Sequence, residues 1–122
     1  MKRFMIIAAL VLSAFALNSC EEDRWGFDNK VVFSAAGGEE DVDGDASIAS
    51  ISIGTGLANK REATDFKGTL TVTYDWLTAV VAKGDNEVHL IALPNKTGKD
   101  RKLYVYGTVN SKMMNITVIQ KK

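Results

Sequence analysis

One cysteine, one histidine, a short run of acids and a pair of tyrosines are what this chain offers to chemistry. Cys20 stands in "ALNSCEED", His89 in "EVHLIAL", and the acids in "EEDVDGD" over residues 39–45. Covalent catalysis needs a nucleophile with a base in reach, and no Ser or Asp spacing provides His89 with such a partner. Paired carboxylates hydrolyse glycosides only when they flank a cleft. Here the acids cluster in turns and near the N-terminus. Asp41, Asp43 and Asp45 alternate as calcium-loop acids do, but Gly44 precedes the third acid and position twelve of the loop is Ser52. The inventory predicts no enzyme, no metal site and no cofactor. What remains is recognition. In "RKLYVYG", Leu103 and Val105 alternate with Tyr104 and Tyr106, so an inward aliphatic pair places both rings on the outer face. Outward aromatic rings stack on the C–H faces of pyranoses, with polar groups such as Asn115 or Thr117 for the hydroxyls. The plainer reading, which sequence alone favours, is that two tyrosines are ordinary β-formers steadying a sheet face.

The cysteine has a different explanation. Lys2 and Arg3 precede the apolar stretch "FMIIAALVLSAFAL", 14 residues long, fewer than the roughly 20 that span a bilayer as a helix. A positive start, a short apolar core and then small or polar residues describe a secretory signal peptide over residues 1–19. "LNSC" (Leu17, Asn18, Ser19, Cys20) resembles the lipobox of bacterial lipoproteins. That resemblance implies cleavage before Cys20, which becomes the lipidated first residue of the mature chain. Two or more acyl chains hold a protein on a membrane stably where one does not. The acids Glu21, Glu22 and Asp23 resemble the surface-export signal of Bacteroidetes lipoproteins; as plain chemistry they are a solvated spacer.

Cleavage leaves 103 residues with 13 basic and 15 acidic side chains. That balance gives no electrostatic reason to expect nucleic acid as a partner. With no second cysteine the mature fold has no internal disulfide, and packing alone must hold it. Residues 20–29 read as a lipidated tether, in which Trp25 and Phe27 either pack on the domain or settle among headgroups.

From Lys30 onward the pattern is that of strands. "KVVFSAA" ends at Gly37 and Gly38, and "ASIASISIG" sets Ile51 and Ile53 on one face. "GTLTVTYDWLTAVV" alternates Leu70, Val72, Tyr74 and Trp76 against Thr69, Thr71, Thr73 and Asp75, which puts Trp76 in the core. "EVHLIAL", "RKLYVYGTV" and "MMNITVIQ" follow, the last two joined by a hairpin at "NSK". About seven strands without a helical repeat predict an all-β, immunoglobulin-like antiparallel sandwich over residues 30–122. Residues 54–67 fit either a crossover between sheets or a long excursion.

The pieces "DWLTAV", "VHLIALPNKTGKDRKLYVYG" and "ITVIQ" resemble the BACON domain (Bacteroidetes-Associated Carbohydrate-binding Often N-terminal), and "VVFSAAGGEEDV" is similar to its first strand and turn. The Asn95, Gly98 and Arg101 spacing is the specific part of the likeness. The family often carries another Trp ahead of the Trp-Leu pair, and none stands between residues 31 and 74. The resemblance implies a cell-surface sandwich for which carbohydrate binding is inferred from the company the domain keeps. The residues also have a reading of their own. Asn95 can bond the backbone two residues on, Gly98 can turn left-handed, and Arg101 has donors to tie the loop's carbonyls. The expectation is therefore a lipid-anchored outer-membrane protein exposed at the cell surface. It binds glycan without catalysis or, alternatively, serves as a spacer or docking subunit among other surface proteins.

Overall fold

A computed structural model describes Phe27 and residues 29–122. The expected signal peptide, Cys20 and most of the expected tether lie outside the described residues. Ten strands follow one another: β1 (Lys30–Phe33), β2 (Gly38–Asp43), β3 (Ser50–Gly56), β4 (Asn59–Glu62) and β5 (Thr64–Phe66), then β6 (Thr69–Tyr74), β7 (Leu77–Ala82), β8 (Glu87–Ala92), β9 (Arg101–Val109) and β10 (Lys112–Gln120). They form two five-stranded sheets, β1-β10-β9-β3-β4 and β2-β8-β7-β6-β5, packed face to face as an immunoglobulin-like all-β sandwich. Pairing is antiparallel except between β1 and β10, which run parallel with Val31 beside Val118.

Ten strands replace the expected seven for three physical reasons. The acidic stretch read as a solvated turn is the edge strand β2, whose one buried side chain is Val42, so no apolar alternation announces it. Residues 54–67 are no excursion: β4 pairs with β3, Ala63 carries the chain across, and β5 pairs with β6. The long alternating stretch is a hairpin, with Tyr74 opposite Leu77 and a two-residue turn at Asp75 and Trp76. Asp75 takes a φ of 56° there, a conformation that Asp tolerates better than most residues. Trp76 still belongs to the core, 4% exposed, although it sits in the turn.

Inward positions follow the pleat. Leu103 and Val105 from β9 meet Ile116 and Val118 from β10 on one layer, facing Leu70, Val72, Ala79, Val88 and Leu90 on the other. Each fully buried side chain of this size contributes about 1.5–3 kcal/mol by leaving water. Phe27 belongs to this core at 3% exposure, so the domain begins before Lys30. The β9–β10 hairpin closes on Asn110 and Ser111, at φ 51° and 66°. Two positive φ values are what a type I′ turn demands, and such a turn matches the strand twist.

The turns gather at two ends. Lys83 donates its backbone N–H to Gly68 at one end, and Leu93 donates to Trp76 at the other. The loop of residues 93–100, the start of β9 and the end of β10 share the Trp76 end.

Candidate functional site

The outer face of the first sheet carries the tyrosines. Register places Thr117 and Gly54 on either side of Tyr104, and Asn115 and Ser52 on either side of Tyr106. The two rings stack, centroids 6.2 Å apart and planes 28° from parallel. On the other flank of Tyr104 the Lys102 ammonium sits 5.4 Å from the ring centre. Lys60, opposite Gly54, completes this row and pairs with Glu62.

The two tyrosines differ in access. Tyr104 is half-buried, whereas Tyr106 is only 6% exposed although it points away from the core. Tyr104 lies along one side of Tyr106, and the strand partner Ser52 is itself buried. Burial, followed by the neighbouring Tyr104, pushes the Tyr106 hydroxyl above its ordinary pKa, with Lys60 opposing. The expectation of two open rings is thereby corrected: Tyr106 is the support and Tyr104 is the ring that meets solvent.

At the Trp76 end, the residues of the "PNKTGKD" loop form one bonded unit. Asn95 Oδ1 accepts the Thr97 N–H at 3.0 Å, and Asn95 Nδ2 donates to the carbonyls of Lys99 at 2.7 Å and Lys121 at 3.1 Å. Gly98 has a φ of 79°. Arg101 Nε donates to Gln120 Oε1 at 2.9 Å, its Nη2 donates to the Pro94 carbonyl at 3.1 Å, and its guanidinium lies 4.9 Å from the Trp76 ring centre. Gln120, fully buried, spends its amide nitrogen on the carbonyls of Leu93 at 2.7 Å and Ser34 at 3.1 Å. Asn95, Gly98 and Arg101 thus hold carbonyls and a turn. Asp100 accepts from the Lys122 N–H and from Lys121 Nζ, and these two bonds, the backbone one foremost, hold its carboxyl below the usual range.

The second sheet presents a cluster that sequence spacing did not reveal. His89 on β8 lies opposite Asp41 on the edge strand β2. Its Nδ1 donates to Asp41 and its Nε2 donates to Glu39 at 2.8 Å. Both ring nitrogens face carboxylates, so the bonded ring is the imidazolium. The bond to Asp41 does most to raise the His89 pKa; partial burial opposes it and Glu39 adds to the rise. The carboxylates approach from opposite edges of the ring, so they cannot ligate one ion together with it. Among the described residues no group of three or more His, Cys, Asp or Glu is placed to hold a metal.

No family model and no curated protein matches the chain. Among solved structures it is similar to a protein from Bacteroides thetaiotaomicron determined by NMR, at 17% identity and a TM-score of 0.56, over 88% of this chain and 95% of that one. It also aligns with a Bacteroides ovatus GH5 xyloglucanase in complex with a XXXG heptasaccharide, at 19% identity and a TM-score of 0.45. That alignment covers 76% of this chain and 17% of the enzyme. The first likeness shows a shared fold.

Proposed function

We propose that this chain is a non-catalytic, lipid-anchored accessory protein of the outer membrane, exposed at the cell surface, whose BACON-like sandwich binds carbohydrate on the Tyr104 face. One observation carries the reading: Tyr104 stands half-buried on an outer face, backed by the Tyr106 ring at 6.2 Å, with Thr117 and Asn115 on the adjacent strand. An aromatic ring held by a neighbour loses little freedom when a sugar stacks on it. The lipobox at residues 17–20 supports the anchor and the compartment.

A second reading is a spacer or docking subunit without a glycan ligand. Val32, 51% exposed on the edge strand β1 and beside Ile119 in register, favours it. A glycan array with the soluble domain separates the two. The fragment must start ahead of Phe27, because that ring belongs to the core. Glycan binding that disappears in Tyr104→Ala supports the first reading. Absence of binding to every glycan, with protein partners co-purifying from the surface, replaces it by the second.

A further inference from the structure

The two outer faces of the sandwich carry opposite charge. On the first sheet, register turns Lys30, Lys60 and Lys102 outward around Tyr104, and the acids near them, Glu62 and Asp100, are already paired with Lys60 and Lys121. On the second sheet the outward acids are Glu39, Asp41, Asp43 and Glu87, against His89 and, on the far edge, Lys67 over the Phe66 ring. Among the described residues the Lys102 ammonium rests on the Tyr104 ring and pairs with no carboxylate.

That placement decides what can stack. A neutral pyranose reaches Tyr104 only by pushing the ammonium off a favourable cation–π contact, and its hydroxyl oxygens offer the displaced cation only neutral hydrogen bonds. A sugar bearing a negative group gives the displaced ammonium a charge-assisted partner while the ring takes the C–H face. The same field draws an anionic ligand to this face, and the acidic second sheet repels it. We propose that the Tyr104 face takes sugars carrying an anionic substituent, a uronate carboxylate or a sulfate, with Tyr104 as platform and Lys102 as charge partner. This rests on the carbohydrate reading above.

The test is titration calorimetry at about 0.15 M salt, where long-range attraction is screened. Three oligosaccharides of equal length are used, an oligogalacturonate, a sulfated galactan and a neutral galactan, with polyglutamate as a sugar-free polyanion. The expected result is binding of the carboxylated or the sulfated sugar at least about tenfold tighter than the neutral one. Lys102→Gln removes that margin, Tyr104→Ala abolishes binding, and Tyr104→Phe retains it. Whichever of the two anionic sugars binds identifies the substituent. Equal or tighter binding of the neutral sugar, lost in Tyr104→Ala, overturns this inference and leaves the carbohydrate reading intact. Polyglutamate binding as well as the acidic sugars, or acidic binding indifferent to Tyr104→Ala, overturns it as simple polyanion attraction. Binding of no sugar at all overturns both readings. One-dimensional NMR of each variant confirms that the fold persists.

Discussion

Nδ1 of His89 donates a hydrogen bond to the Asp41 carboxylate, joining β8 to the edge strand β2 across 48 residues of sequence. Val42 is the only side chain that β2 buries. Beyond its ladder bonds and the burial of Val42, the strand is tied to the sheet by this charged contact and its companion to Glu39.

The stability of that edge should depend on pH in one direction. The folded-state pKa of His89 lies above its ordinary value of 6.5, so the stabilisation is complete below that value and fades as pH rises through the folded pKa. Asp43 and Glu87 share the face and supply no cation to replace the imidazolium. Wild type should therefore melt higher than His89→Gln at about pH 5.5 and lose the difference by about pH 8.5. The chain has one histidine, so a single imidazole resonance reports the titration. Parallel melting curves across that range would remove the imidazolium from the account.

Gln120 is fully buried and gives both amide hydrogens to carbonyls. Gln120→Leu keeps the volume and leaves the carbonyls of Leu93 and Ser34 without these donors. The loss should be about 1–3 kcal/mol, read from the urea midpoint at unchanged slope. An unaltered midpoint would mean that water satisfies this end of the sandwich.

Trp76 and Leu93 lie at the same end with opposite exposure, 4% and 58%. Trp76→Ala should cost about 3–5 kcal/mol as a core truncation. Leu93→Ala should stay within about 0.5 kcal/mol. Trp76→Phe, which keeps most of the packing, should bind the same glycans as wild type. A fall in binding at preserved stability would place the indole in the ligand site.

Cys20→Ala tests the anchor separately from the fold. The protein should move from the detergent phase to the aqueous phase on phase separation, with an unchanged far-UV spectrum. Retention in the detergent phase would show that something other than the acyl chains holds it.

The sandwich was legible wherever a strand has one wet face and one dry face. "KLYVY" announces β9 because Leu103 and Val105 are inward and the tyrosines are outward, and the loop residues Asn95, Gly98 and Arg101 were legible as turn chemistry. What stayed hidden depends on register. The β2 strand is nearly all polar, so its sequence looks like a turn. The partnership of His89 with Asp41 exists only because β2 and β8 pair, and no local spacing encodes that. Tyr106 was placed on the correct face, but its burial comes from its neighbours on that face and not from the pleat, so alternation alone overstates its access.

The parallel pairing of β1 with β10 sets how the domain bears load. The chain enters the domain ahead of Lys30, and the far end of β10 lies beside Phe33. A pull on the N-terminal side against the C-terminal strand therefore runs along the pair, and its bonds share the force in shear instead of opening one after another. A domain pulled at its two ends would resist along that seam.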